Sequence, residues 1–191
     1  MSILQPITDL EKWWTKPDPW DYEKNPDDQN RRAMLLSLLP QKKYNRVLDI
    51  GCGNGFVTKR LPGEEVIGVD ISENAIKHAR NICKEQKHIT YHKHTLFDLQ
   101  NAGWDNSFDL IIITGVLYPQ YMGKSSRLVY LIIDQLLRPG SHLVSCHIEE
   151  WYTSRFPYTT IQREYYPYRE YSHILEIYLK PESRSISGRR S

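Results

Sequence analysis

The chain has 191 residues and a mass of 22.6 kDa, the size of a single domain with one core. Its formal charge of +2 is spread along the chain apart from an Arg-rich end, which argues against a nucleic-acid-binding domain with one concentrated basic face. Three cysteines without framework spacing indicate free thiols in a reducing compartment. With no signal-like start and no apolar run near the roughly 20 residues of a membrane helix, we expect a cytoplasmic protein.

Three segments are predicted from the composition along the chain. Residues 1–24 are rich in Trp, Pro and Asp, and we predict an ordered N-terminal arm because its tryptophans need a packing surface. Residues 25–180 carry regular patterns and form a single catalytic domain in this interpretation. Residues 181–191, with several Ser and Arg, are predicted to be a disordered basic tail.

Strands and helices alternate through the domain. Seven strands are predicted, at residues 46–50, 65–70, 89–92, 108–114, 141–148, 161–166 and 172–180. Four helices are predicted, at residues 25–39, 54–61, 72–87 and 125–137, with Asn25 and Ser72 as caps and Leu128, Leu131, Ile132 and Leu136 on one apolar face. This alternation predicts an α/β fold with a mostly parallel sheet, helices on both faces and an antiparallel strand near the C-terminal end.

The stretch VLDIGCGNGF runs from a buried strand into Gly51, Gly53 and Gly55. Dinucleotide loops need a third small residue where bulky Phe56 stands here, and a phosphate-binding loop of the Walker type needs a Gly-Lys-Ser/Thr end that is missing. A pyrophosphate ligand is therefore disfavoured.

Two carboxylates accompany the glycine loop. Asp70 ends the second strand, where an acidic residue can accept from both hydroxyls of a ribose. Asp49 precedes the loop and suits a cationic amino group or the amides of the loop itself. A ligand with a ribose, an adenine and an ammonium group but no phosphate is S-adenosyl-L-methionine, whose product is S-adenosyl-L-homocysteine.

Four segments in register, VLDIGCGNGF, GVDIS, FDLIIITGVLYP and LLRPGSHLV, resemble the class I S-adenosylmethionine-dependent methyltransferases over residues 45–145. The resemblance implies a Rossmann-like fold. It also implies that Asp70 binds the ribose, Ile71 packs on the adenine, Asp98 contacts the adenine amine with Phe97 or Leu99 beside the ring, and Thr114 and Gly115 lie near the methionine part. Asp98 could instead be a simple turn residue.

The segment DPWDYEKNP, the Arg-bearing helix after it and FDLIIITGVLYP are similar to the rhizobial nodulation-factor N-methyltransferases and related saccharide-modifying enzymes. The resemblance implies that Trp20 and Arg31 help to close the cofactor site. The alternatives are a tryptophan that staples the arm to the core and a solvated arginine. Gly115 stands where that family usually has Glu, so an acidic group near the acceptor is missing.

Candidates for acid–base chemistry lie after the fourth and fifth strands. His147, with an expected pKa near 7, and Glu149 follow the fifth strand, and Tyr118 follows the fourth, so all three should face the ligand crevice of a parallel sheet. A structural, hydrogen-bonded histidine is the alternative for His147. The histidines near residue 90 lack a Cys or carboxylate at ligand spacing, and we expect no metal.

These patterns predict in-line methyl transfer to a nitrogen or oxygen atom of a small molecule or saccharide by a monomer or homodimer. Seven of the thirteen tyrosines fall between residues 152 and 178, which suits sugar or aromatic acceptors but also interfaces. An RNA or protein methyltransferase is an alternative, although the fourth strand lacks the Asn/Asp-Pro-Pro-aromatic and Pro-Cys stretches of nucleic-acid enzymes. An inactive cofactor-binding subunit of a catalytic partner is another.

Overall fold

The computed structural model describes residues 4–152 and 155–182. These ranges contain five α-helices, three short 3₁₀ helices and seven strands. The α-helices are α1 (Ile7–Trp13), α2 (Pro26–Leu38), α3 (Glu73–Ile82), α4 (Pro119–Met122) and α5 (Ser126–Leu136). The strands are β1 (Arg46–Ile50), β2 (Glu65–Asp70), β3 (Ile89–Lys93), β4 (Phe108–Thr114), β5 (Leu137–Ile148), β6 (Thr159–Tyr168) and β7 (Tyr171–Leu179). The 3₁₀ helices are Thr58–Arg60, Leu96–Asn101 and Glu149–Trp151.

All seven strands form one sheet in the order β3-β2-β1-β4-β5-β7-β6. The first five strands in this order are parallel, and β7 runs antiparallel to both of its neighbours. Leu48 of β1 lies opposite Ile67 of β2 on one side and Ile111 of β4 on the other. The predicted fold class is confirmed. Because the strand order reverses at β1, a ligand crevice is expected at the carboxyl ends of β1, β2 and β4.

Helices cover both faces of the sheet. Successive residues of a strand point to opposite faces, so each central strand contributes to two core clusters. Leu48, Ile111 and Leu143 belong to the core cluster under α5. Val47, Leu110 and Val144 belong to the cluster under α2 and α3. The central strands are therefore apolar on both sides, as is typical of buried parallel strands.

Two predicted helices are shorter in the structure. The helix predicted over residues 54–61 is only the 3₁₀ turn Thr58–Arg60. Gly53 and Gly55 both have positive φ, and the Asn54 side chain accepts a hydrogen bond from the Phe56 N–H instead of leaving it to a helix. The helix predicted to reach residue 87 ends at Ile82, which is 46% exposed; Cys83 after it is buried in the core, and residues 84–87 are all polar.

The buried face of α5 is also different from the prediction. Leu128 and Leu131 are 41% and 51% exposed, so the prediction that both pack inward is wrong. The helix buries Val129, Ile132, Ile133 and Leu136 instead. The buried stripe is rotated because the β-branched Val129 and Ile133 face the sheet, which the leucine spacing alone does not indicate.

The three cysteines, Cys52, Cys83 and Cys146, are buried free thiols. Within the ranges that the structure describes, no helix is long and apolar enough to cross a membrane. The predicted tail lies outside the described residues from position 183 onward.

Candidate cofactor and acceptor site

The glycine loop closes tightly over the end of β2. Gly51 and Cys52 both donate their N–H to the Val69 carbonyl, at 2.8 and 3.0 Å. Gly51 has a φ of +76°, and a Cβ there would overlap the Val116 side chain of the segment after β4. A glycine is required here by both conformation and space, and the loop packs against the end of β2 and the segment after β4.

Asp70 joins this loop to the start of α3. Its Oδ2 accepts from the Gly53 N–H and its Oδ1 from the Ser72 N–H, both at 2.9 Å. Burial raises the pKa of Asp70, although both hydrogen bonds oppose that shift. The carboxylate is thus fixed in orientation at the carboxyl end of β2, and its remaining lone pairs can accept from ligand hydroxyls.

Asp49 is a buried carboxylate with one oxygen unused. Its Oδ2 accepts from the Thr58 hydroxyl at 2.6 Å, whereas Oδ1 has no hydrogen-bond partner among the described residues. Burial raises the pKa of Asp49 to about 6. A buried, half-satisfied carboxylate is costly by itself and is stabilised by a nearby cation, so this site fits the ammonium group of an amino-acid ligand.

The end of β4 borders open space. Gly115 has a φ of +67°, its N–H donates to the Cys146 carbonyl at 3.0 Å, and a Cβ at this position would meet nothing within 4 Å. Thr114 beside it is half-buried. The predicted position of these residues next to a ligand is therefore compatible with the space around them.

The residues predicted to contact the adenine differ in exposure and in hydrogen bonding. Asp98 and Thr95 form a capping box at the start of a 3₁₀ helix, with Thr95 N–H to Asp98 Oδ2 at 2.8 Å, and these bonds lower the pKa of Asp98. Phe97 and Ile71 are half-buried, as a ring platform would be. Leu99 is 0% exposed, so its expected place beside the adenine is wrong, because the side chain packs into the core under α5.

The N-terminal arm crosses the carboxyl ends of three strands. The Gln5 N–H donates to the Gln120 carbonyl after β4 at 2.8 Å. The Asn54 amide after β1 donates to the Pro17 carbonyl at 2.9 Å. Between these points, Glu11 contacts the segment after β2. The arm thus lies across the crevice in which a class I cofactor would sit.

Glu11 is a site residue that no sequence pattern indicated. Its carboxylate accepts from the Glu73 N–H at 2.7 Å, the Asn74 N–H at 3.2 Å and the Ser72 hydroxyl at 3.0 Å. Burial opposes ionisation, but these bonds outweigh it and lower the pKa of Glu11. An acidic side chain at the positive end of α3 is favourable. The contact joins residues more than sixty positions apart, so local spacing carries no signal of it.

The arm tryptophans form one aromatic cluster. Trp14 is the buried member, 4% exposed, and its ring lies where a Cβ on Gly53 would be 3.0 Å away. Trp20 is half-buried, with its ring centroid 5.0 Å from that of Trp14 and 5.6 Å from that of Tyr22. Trp20 therefore packs within the arm, and Trp14 is the tryptophan that touches the glycine loop.

Arg31 is buried, not solvated. Its Nη2 lies 3.1 Å from Asp28 Oδ1, and its guanidinium stands over the rings of Tyr22 and Tyr168 at 5.5 and 5.6 Å. The Arg31 Nε has no partner among the described residues. A buried cation with an unused donor, on the helix that packs beside the β1 loop, is suited to a ligand carboxylate.

His147 is a fixed, neutral imidazole. Its Nε2 accepts from the Leu117 N–H at 3.1 Å, so the proton is assigned to Nδ1, which contacts the Ser145 hydroxyl at 3.0 Å. The ring is 0% exposed and stacks on Tyr152 with a centroid separation of 4.5 Å. Burial lowers its pKa well below the ordinary value, so the expected pKa near 7 is wrong. Both ring nitrogens are occupied by hydrogen-bond partners within the protein, so neither is left to exchange a proton with a methyl acceptor.

The other two acid–base candidates differ in exposure. The buried Tyr118 hydroxyl accepts from the Ile148 N–H at 2.8 Å, and burial raises its pKa. Glu149 is half-buried directly after β5, and no described residue forms a hydrogen bond or ion pair with its carboxylate. Glu149 is therefore the candidate that stays available for proton transfer. In the described ranges no group of three His, Cys, Asp or Glu residues could hold a metal ion.

Comparison with known proteins agrees with the topology and the glycine–aspartate loop. The Methyltransferase domain family matches residues 41–173. Nodulation protein S of Rhizobium tropici is 31% identical over 132 residues, covering 66% of this chain and 53% of that protein. Demethylmenaquinone methyltransferase of Tropheryma whipplei strain Twist is 32% identical over 123 residues, covering 62% of this chain and 48% of that protein.

Solved structures share the fold at low identity. The N-methyltransferase NodS from Bradyrhizobium japonicum WM9, in complex with S-adenosyl-L-homocysteine, superimposes with a TM-score of 0.78 at 23% identity, covering 92% of this chain and 98% of that one. The [4+2]-cyclase SpnF gives 0.72 at 13% identity, covering 96% and 100%.

The fold and the loop define a Rossmann-like α/β protein of the methyltransferase type. The chain belongs to the Methyltransferase domain family, and over the matching region it resembles nodulation protein S. The matching region spans about half the length of the curated relatives.

Proposed function

We propose that this protein binds S-adenosyl-L-methionine at the carboxyl ends of β1, β2 and β4 and methylates a nitrogen or oxygen atom of a small molecule. The observation that carries the proposal is the pairing of a fixed carboxylate, Asp70, with a buried carboxylate that has one oxygen unused, Asp49. Bound there, the cofactor would supply a methyl group on a sulfonium centre: an acceptor lone pair would bond to that carbon as the carbon–sulfur bond breaks, with S-adenosyl-L-homocysteine as the leaving group.

Each polar group of the proposed cofactor has a suitable residue. Asp70 accepts from the ribose hydroxyls, and Asp49 balances the ammonium group. Arg31, buried and with Nε unused, offers a cation for the methionine carboxylate. Asp98, with Phe97 and Ile71, is proposed for the adenine, and Thr114 and Gly115 for the methionine chain. Trp20 contributes through the arm.

The protein's contribution to transfer is positioning and exclusion of water, which in favourable cases is worth roughly 7–11 kcal/mol. The arm covers the crevice, and His147 fixes the segment after β4 through the Leu117 N–H. Glu149 is the candidate base for an acceptor that must lose a proton, and Tyr118 forms part of the wall. We propose a monomer or homodimer that acts on free small molecules, saccharides included.

Calorimetric titration with S-adenosylhomocysteine tests the cofactor assignment. We expect wild-type protein to bind it and Asp70→Asn to bind about 10- to 100-fold more weakly, because hydrogen bonds to a charged acceptor are weakened. Asp105→Asn is the matched control, since Asp105 lies on an exposed turn at the opposite end of the sheet. Absence of binding by the wild-type protein would refute the proposal, and equal binding by the two variants would remove Asp70 from it.

A further inference from the structure

An open groove of about 530 Å³ lies between the start of α5 and residues 155–157. Its floor is apolar and is formed by the buried Leu117, Met122, Val129 and Phe156. The volume falls in the range of small-molecule sites, which combine apolar walls with a few polar groups that fix the ligand.

Two guanidinium groups line this apolar groove, and its lining contains no acidic residue. Arg155 is held in place, with its Nε 3.3 Å from Glu176 Oε2 and its guanidinium 4.5 Å from the centre of the Tyr152 ring. Glu176 is fully buried and also pairs with Arg163 at 2.8 Å. Glu176 is thus shared by Arg155 and Arg163, and the described residues that line the groove include two arginines and no acidic residue.

Arg127 adds a second cation at the rim. Its side chain is exposed, and no described residue forms an ion pair with it. An exposed cation beside an apolar floor is complementary to a molecule with an apolar body and one negative charge.

The groove shares a wall with the proposed site of methyl transfer. Leu117 lies two residues after Gly115, and its N–H is the group that His147 holds. A ligand in the groove would therefore lie next to the segment that borders the end of β4.

We propose that this groove is the acceptor subsite and that the acceptor is an amphipathic carboxylate, with its apolar body on Leu117 and Phe156 and its anionic end at Arg127 and Arg155. This inference rests on the proposed function and narrows its acceptor class. A neutral sugar lacks both the apolar body and the charge that the groove selects.

The test compares naphthalene-2-carboxylate with 2-naphthalenemethanol, which share one apolar body and differ in charge. Affinities are measured by ligand-observed NMR titration on the full chain. We expect the carboxylate to bind at least fivefold more tightly than the alcohol, and Arg127→Gln to weaken only the carboxylate, by about three- to tenfold. Arg60→Gln, an exposed arginine outside the groove, is the matched control and should change neither affinity.

A second variant keeps the test independent of charge. Ser126→Trp, at a position that lines the groove, should weaken both probes by filling it. Equal affinities for acid and alcohol, or equal behaviour of Arg127→Gln and Arg60→Gln, would overturn the inference.

Titration of the same samples with S-adenosylhomocysteine separates the two proposals. If S-adenosylhomocysteine binds but Arg127→Gln leaves the affinity for the naphthalene carboxylate unchanged, the groove assignment is wrong and the cofactor assignment stands. If wild-type protein does not bind it, the proposed function fails, and the groove loses its acceptor role even when the carboxylate binds.

Discussion

The carboxyl ends of β1, β2 and β4 and the region around β5, β6 and β7 are built by different means. In the first region, backbone N–H groups of Gly53 and Ser72 fix Asp70, and the hydroxyl of the nearby Thr58 donates to Asp49. In the second, buried ionic and aromatic side chains from distant parts of the chain fix one another, as Glu176 does for Arg155 and Arg163. A backbone-built site leaves a sequence motif, whereas a side-chain-built site does not.

The largest expected effect concerns the contact that joins the two regions. Asp28 of α2 is 0% exposed, accepts from the Tyr168 hydroxyl at 2.8 Å, and pairs with Arg31 and Arg169. Asp28→Asn leaves the buried Arg31 without its counter-charge and should lower the free energy of unfolding by about 3–5 kcal/mol. Urea unfolding at pH 7 measures this.

The neighbouring aspartate provides the control. Asp27 accepts from the Arg169 N–H at 3.0 Å and lies nearer the surface, so Asp27→Asn should cost about 1 kcal/mol or less. Equal losses in the two variants would mean that the buried ion cluster does not hold the two regions together.

A medium effect is expected at His147, in the second region. His147→Gln should cost about 2 kcal/mol at pH 8, because the Leu117 N–H and the Ser145 hydroxyl lose a buried partner. The folded-state pKa lies well below the ordinary 6.5, so below pH 6.5 the unfolded chain binds a proton that the native protein does not. The wild type should therefore lose about 1.4 kcal/mol per pH unit more than the variant as the pH falls below 6.5.

Chemical unfolding of both proteins between pH 8 and pH 5 gives this difference directly, and other titrating groups cancel in it. His88→Gln, at an exposed position, is the matched control. A His147→Gln slope equal to that of the wild type would show that this imidazole keeps its ordinary pKa in the native protein, as a general base with a pKa near 7 would.

The smallest effect is expected at Glu11, in the first region. Glu11→Gln weakens the cap on α3 and should cost about 1 kcal/mol, with exchange of the Glu73 and Asn74 amide protons about fivefold faster. Because the pKa of Glu11 is lowered, the contribution of the carboxylate is complete above its ordinary 4.5 and is lost as the pH falls below that value. Hydrogen exchange measured by mass spectrometry reports it.

Asp9→Asn is the matched change for Glu11, because the one ion pair of Asp9 among the described residues is with Lys12, on the same helix and at the surface. It should leave amide exchange at α3 unchanged. If both variants accelerate amide exchange at the start of α3 equally, the total charge of the arm, and not the Glu11 hydrogen bonds, stabilises the contact between the arm and α3.

The sequence predicted the frame of the first region well. Strands β1, β2 and β4 lie at the predicted residues, and Asn25 and Ser72 cap their helices as expected. These features depend on local chemistry: alternation, an N-cap side chain, a glycine that must adopt positive φ. The assignments of Asp49, Asp70 and Asp98 to a ligand stay predictions.

The predictions that were wrong, and the contact that was missed, depend on packing between residues distant in sequence. Leu131 and Ile132 are neighbours of similar hydrophobicity, and only the packing of α5 on the sheet decides that the first is exposed and the second buried. The pKa of His147 follows from its burial against Tyr152, and Leu99 is excluded from a ligand by the same core packing. Glu11 contacts α3 across more than sixty residues, beyond the reach of any spacing rule.

The ion pair between Arg169 and Asp28 has a consequence for how the chain folds. The two residues are 141 positions apart in sequence, so the pair closes a loop that contains nearly the whole sheet. Closing so long a loop costs more conformational entropy than closing a short one. The strands β6 and β7 pair across a two-residue turn, for which this entropic cost is small. We therefore expect the hairpin to pair before its attachment to α2 forms.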